Sequence, residues 1–146
     1  DPLVLDTVRH SMACDFGNMG VDAHTLYYRH LQDKGCIFTQ LMQNADKPCV
    51  VMTHHGCTSK SVSEHYDNPL YYATNYAYYS ELSRDILDVC EKRLEPMKWV
   101  HGHMHNTARY NVGDMCEIIL NPFGYSRFQT DFDTLTGFTF ETEAEQ

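Results

Sequence analysis

Gly102-His103-Met104-His105 directly follows the apolar run Met97-Lys98-Trp99-Val100, and His54-His55 closes a second run, Cys49-Val50-Val51-Met52-Thr53. Imidazole is the commonest side-chain metal ligand, because its ring nitrogen offers a neutral lone pair near pH 7. Two strand-like runs that each end in histidines aim several imidazoles into one crevice, since ligands in open α/β sheets sit at the carboxyl ends of strands. In G-H-x-H two nitrogens are offered beside a glycine that lets the backbone turn. The pattern reads as half of a metal site, with His54, His103 and His105 as candidate ligands. His55 is a candidate contact to the metal or to a phosphate oxygen, and otherwise a turn residue. His101 alternates with His103 and suits a packed or hydrogen-bonded role. His10, His24, His30 and His65 read as ordinary surface or structural histidines.

Nucleophilic chemistry is the competing use of these residue types. Cys57 stands three residues after His54, where a thiolate beside an imidazole is conceivable. Ser59 and Ser61 lie in the same stretch without a G-x-S-x-G elbow. Nothing else in the sequence supports either, and small buried groups are the stronger reading.

The 146 residues make one domain or part of a larger one. A hydrophobic share of 42% is enough for a core. The net charge of −9 argues against a sheath of phosphate-binding lysines and arginines. An acidic chain still processes phosphate esters if metal ions supply the positive charge. Acidic residues gather over 141–145, as in a solvated tail. The six cysteines form no C-x-x-C pair, which argues against a zinc ribbon or finger; the even count leaves disulfides open, but the dispersion better fits reduced, packed thiols in a reducing compartment such as the cytoplasm. No apolar run approaches the roughly 20 residues that cross a bilayer.

Asp22 reads as the cap of a helix over 23–33 that Gly35 ends, followed by a short helix over 38–43. Pro48 precedes a buried strand over 49–53, and a polar segment follows over 55–69. Tyr79, Leu82, Ile86, Val89 and Cys90 fall at spacings of three and four, predicting a helix over 76–94 that Pro96 stops. Strands follow over 97–101, 107–112 and 116–120, the last two flanking a Gly113-Asp114 hairpin turn, and a final strand over 135–142. This order predicts an α/β or layered αββα architecture.

V-V-M-T-H-H-G (50–56), W-V-H-G-H-M-H-N (99–106) and N-P-F-G-Y (121–125) occur in that order. The set resembles the C-terminal half of a calcineurin-like metallophosphoesterase of the bacterial and phage branch, over about residues 36–140. The resemblance implies a partial αββα sandwich and hydrolysis of a phosphomonoester or phosphodiester by two divalent ions, Mn, Fe or Zn, that activate a bridging hydroxide. It places His54 and His103 on one ion and His105 on the other, with residues 121–125 buttressing the site. It also implies a partner for this chain. The family's D-x-H, G-D and G-N-H motifs, which carry the carboxylates, belong to an N-terminal half that 1–146 lacks.

Local look-alikes do not replace those motifs. Asp22-Ala23-His24 spells D-x-H but follows no apolar strand, Gly17-Asn18 is followed by Met19, and Gly113-Asp114 comes after G-H-x-H. Alone, the chain is therefore expected to be inactive. Two other readings compete. One is a non-catalytic scaffold or interaction module with an incomplete site, since fold does not fix function. The other is a metallo-β-lactamase-type hydrolase, which lacks the aspartate of H-x-H-x-D-H. The aromatic segment 56–72 suits the base of a nucleotide or nucleic acid, or a packed tyrosine cluster.

Overall fold

The computed structural model of the chain describes residues 20–122. The strand expected over 135–142, the acidic tail, His10 and the Phe-Gly-Tyr of 123–125 lie outside the described residues. Within them the architecture is α/β: a four-stranded mixed sheet with helices against one face.

Helix α1 (Ala23–Gln43) starts where Asp22 accepts a hydrogen bond from the backbone N–H of Thr25 at 3.0 Å. That bond satisfies one of the unpaired N–H groups of the first turn. The predicted break at Gly35 does not occur, and one helix replaces two. A mid-helix glycine costs only about 1 kcal/mol relative to alanine. Packing offsets it, because Ile37, Phe38 and Leu41 beyond the glycine all reach the core. At the far end buried Arg93 donates to the carbonyls of Leu41 (2.7 Å), Glu95 (3.0 Å) and Lys47. One guanidinium thereby ties the end of α1 to the chain that enters the sheet.

Strands β1 (Cys49–Thr53) and β2 (Met97–His101) are parallel neighbours, β4 (Cys116–Leu120) pairs parallel with β2, and β3 (Ala108–Val112) closes the edge antiparallel to β4. The order is β1-β2-β4-β3. Between β1 and β2 the helix predicted over 76–94 forms only as α3 (Ser83–Cys90), preceded by a separate short helix α2 (Tyr72–Asn75) that the sequence reading did not expect. The reason is a competing partner. Tyr79 bridges Gly56, Ser80 N–H donates to the Gly56 carbonyl at 2.9 Å, and Glu81 accepts from the N–H groups of Ser59 and Ser83. Only Leu82, Ile86, Val89 and Cys90 of the predicted stripe remain to pack as a helical face.

Side chains in a strand alternate, so the register sorts two faces. Val51, Trp99 and Ile118 stand side by side on the core face with Met97 and Cys116, beneath Ile86, Val89 and Leu41. On the other face Val50 and Met52 are 44% and 80% exposed, beside the Lys98–Glu117 and Arg109–Glu117 pairs. The Gly113 turn has φ +66°, and a Cβ there would meet Leu87 Cδ2 at 3.0 Å. Hence the hairpin takes glycine at that point. The five described cysteines are all free thiols. Among the described residues no helix is long and apolar enough to cross a membrane.

The unbroken α1 carries a prediction. A Cβ on Gly35 meets nothing within 4 Å. Gly35→Ala is therefore expected to raise unfolding free energy by about 0.5–1 kcal/mol in urea titration. A loss of stability would mean that the helix ends at Gly35 after all.

Candidate metal centre

Because β1 and β2 run parallel with Thr53 opposite His101, the residues just past each strand emerge at the same edge. His54 and His55 leave β1 there, and Gly102 and His103 leave β2. The N–H of Gly102 donates to the His54 carbonyl at 3.1 Å, extending the ladder one step beyond the strands. The threonine of T-H-H is a structural link between the core and the turn. Trp99 Nε1–H donates to Thr53 Oγ1 at 3.0 Å, and that hydroxyl donates to the His55 carbonyl at 2.8 Å. A buried indole thus fixes the turn that carries both histidines.

His54, His55 and His103 each present one ring nitrogen, and the three nitrogens lie within 4.8 Å of one another. Nδ1 of His103 is 3.1 Å from Nε2 of His54. Nitrogens bound to a common ion at about 2.0–2.1 Å are separated by similar distances in a tetrahedral site. Three imidazoles with an open fourth position suit Zn, Mn or Fe. The donor set therefore fits one divalent ion. The ring of Tyr78 lies against His103 at 5.0 Å between centroids.

The other residues singled out in the sequence lie elsewhere or serve other ends. His105 is exposed and stands outside the three-histidine group. Strand alternation does not carry past His101, because the chain turns at His103, which has φ +66°. The turn is thus made at the histidine, and Gly102, expected to supply it, has no positive φ. His55 joins His54 and His103 as an equal member, which sequence reading underweighted; the adjacent His54 was the available signal. Asp22 is engaged as the cap of α1, and His24 lies exposed in its first turn, outside the group. Cys57 is buried, and desolvation pushes its thiol pKa up to about 12, the reverse of an activated nucleophile. His101 is buried and hydrogen-bonded.

Desolvation, with the neighbouring His103 and His54 rings, pushes the His55 pKa down to about 4, and burial lowers that of His101. The imidazole of His55 is therefore unprotonated at neutral pH, the form that binds metals. No family model, no curated protein and no solved structure matches the chain. The resemblance consequently rests on the three motifs of the sequence.

This geometry makes stability depend on pH. Both lowered histidines bind protons more readily unfolded than folded, so the unfolded state takes up more protons below its ordinary histidine pKa of about 6.5. Stability is fully present above that value and is expected to fall as pH drops from 6.5 toward 4, read as a falling Tm. His55→Asn should flatten part of this dependence. Separately, the left-handed conformation costs a non-glycine residue about 1–2 kcal/mol. His103→Gly should be more stable than His103→Ala by about that amount, whereas glycine is normally the worse of the two. The opposite ranking in chemical denaturation would remove the strain from His103.

Proposed function

We propose that this chain contributes the histidine side of a dinuclear metal centre that hydrolyses a phosphomonoester or phosphodiester. The observation that carries the reading is the gathering of His54, His55 and His103 at the carboxyl edge of parallel strands. Asn121-Pro122, the only part of the third motif among the described residues, leaves β4 at that same edge, which supports the reading. The open face bearing Val50 and Met52 is where the second sheet of an αββα sandwich would lie, since parallel strands are normally covered on both faces.

In this reading His54 and His103 hold one ion and His55 offers it a third nitrogen or meets a phosphate oxygen. His105 serves the second ion. The metal-binding group among the described residues is all histidine, so the carboxylates that bridge and complete a dinuclear site come from outside it. When bound, the ions supply Lewis acidity at a phosphoryl oxygen and a hydroxide at neutral pH. The protein's own part is to hold the imidazoles in place and oriented, with the Tyr78 ring against His103. The exposed rings of Tyr66, Tyr71 and Tyr72 in the aromatic segment 56–72, and of Tyr76 just after it, would suit a nucleotide base.

The all-histidine donor set also favours the second reading, a metal-binding scaffold without turnover. Cobalt titration of the 146-residue chain, followed by visible absorption, is expected to show a nitrogen-rich site whose affinity falls at least tenfold in His54→Ala or His103→Ala. Hydrolysis of bis-p-nitrophenyl phosphate with Mn²⁺ should be slow or absent. Adding a polypeptide that carries the D-x-H, G-D and G-N-H motifs should raise it, and each alanine change should then abolish most of the gain. Cobalt binding indifferent to both changes would end the metal-site proposal. Metal binding without turnover in the completed protein would establish the scaffold.

A further inference from the structure

Behind the histidine group lies a row of polar side chains, three of them buried and Tyr110 half-buried, that the proposed reaction does not use. Ser61 Oγ is 2.8 Å from His101 Nε2 and 2.7 Å from Tyr110 Oη, and Tyr110 Oη is 2.6 Å from Thr58 Oγ1. Thr58, Ser61 and His101 are all buried. The other nitrogen of His101, Nδ1, lies 3.2 Å from the Gly102 carbonyl. A carbonyl only accepts, so Nδ1 carries the proton and Nε2 accepts from Ser61. Ser61 then accepts from Tyr110, whose hydroxyl proton is thereby committed. Tyr110 in turn accepts from Thr58. Every donor in the row has one direction, Thr58 to Tyr110 to Ser61 to His101 to Gly102.

The end point of that row is the carbonyl that closes the turn at His103. Met104 N–H donates to the same Gly102 oxygen at 2.8 Å, with His103 at φ +66° between them. A bond from residue i+2 to i around a positive φ is the strained form of the three-residue turn, rare in proteins. Such a conformation persists only where its surroundings over-determine it. Here both lone pairs of the Gly102 oxygen are engaged, one by the turn and one by His101. Asn106, which follows the G-H-x-H stretch, donates to the Ser61 carbonyl at 3.3 Å and ties the far side of the loop to the same row.

We propose that Ser61 and Tyr110 are positioning residues for the histidine group: through His101 they hold the Gly102–His103–Met104 turn and so aim the His103 ring at His54 and His55. The inference deepens the metal-site reading by naming what orients its most strained member. Two hydroxyls and one imidazole suffice because a largely buried row of fully paired groups is rigid, while loss of any one leaves a costly unpaired neighbour.

The test has a metal-free arm and a metal arm, both on the 146-residue chain. In the metal-free protein, amide hydrogen exchange followed by NMR is compared for Ser61→Ala, Tyr110→Phe and the core control Val89→Ala, whose destabilisation is general. The Met104 amide is expected to exchange at least tenfold faster in the first two, relative to Leu120 in the same protein. In the control the two amides should shift together. In the metal arm, cobalt affinity should fall about tenfold or more in Ser61→Ala and Tyr110→Phe, the usual consequence of losing an outer-sphere partner. Val89→Ala should leave it within about twofold, and Ser61→Thr, which retains the hydroxyl, should recover much of the loss. Met104 protection that tracks Leu120 in every variant would overturn the proposal. Faster Met104 exchange with no cobalt binding in any form, wild type included, would sustain the positioning role and remove the metal-site reading instead.

Discussion

The parallel pairing of β1 with β2 is the constraint on which the histidine group depends. Thr53 and His101 face each other at the ends of the two strands, so the residues after each appear at one edge. An antiparallel β2 of the same five residues would deliver G-H-x-H to the opposite edge, roughly 16 Å away at the usual rise per residue. Parallel strands cannot be joined by a tight turn and need a long crossover. The stretch from Gly56 to Pro96 is that crossover, and α3 packs Ile86 and Val89 onto the sheet it spans. The gathering of the histidines at the edge is thus a consequence of how the middle of the chain is buried.

Register follows from the same burial. Sliding β2 by one residue would turn Trp99 and Met97 outward and carry Lys98 toward the helices. The Trp99 indole adds a directional check, because its N–H finds Thr53 only in the observed register. Arg93 fixes the other end, where three main-chain carbonyls accept from one buried guanidinium. Lysine could not serve all three with the same planar geometry. Apolar contact sets which face is inside, and a few hydrogen bonds select one alignment among those the apolar pattern would tolerate.

What was legible in the sequence is what local chemistry decides. The strands over 49–53, 97–101 and 116–120, the Asp22 cap and the Gly113 turn are each specified by residues within a few positions. The gathering of His54 with His103 was legible because strand ends meet in parallel sheets. The errors share a cause, contacts distant in sequence. Gly35 looked like a stop because the core that holds Ile37, Phe38 and Leu41 is invisible locally. The apolar stripe from Tyr79 looked continuous because nothing near it announces Gly56 as a partner. His55 was set below His54 because the motif names only one of the pair, and the contact that brings it to His103 is distant in sequence. The row from Thr58 to His101 joins residues about forty to fifty positions apart, beyond any spacing rule.

On the proposed reading, the electrostatics of an all-imidazole group would let so acidic a chain meet a phosphate. A net charge of −9 draws divalent cations toward the surface and repels anions. Carboxylate ligands would hold a cation more strongly, but each would cancel one unit of its charge. Neutral imidazoles leave the charge of the ion intact for whatever anion approaches next. The lowered pKa of His55 keeps its ring neutral well below pH 7, so protons compete weakly for its nitrogen. Binding strength must then come from geometry in place of charge, from nitrogens already gathered within 4.8 Å and a turn that resists opening. A group built this way would, on the proposed reading, gain selectivity for a small ion from the rigidity of its surroundings, with the positive φ of His103 setting the ring that faces the other two.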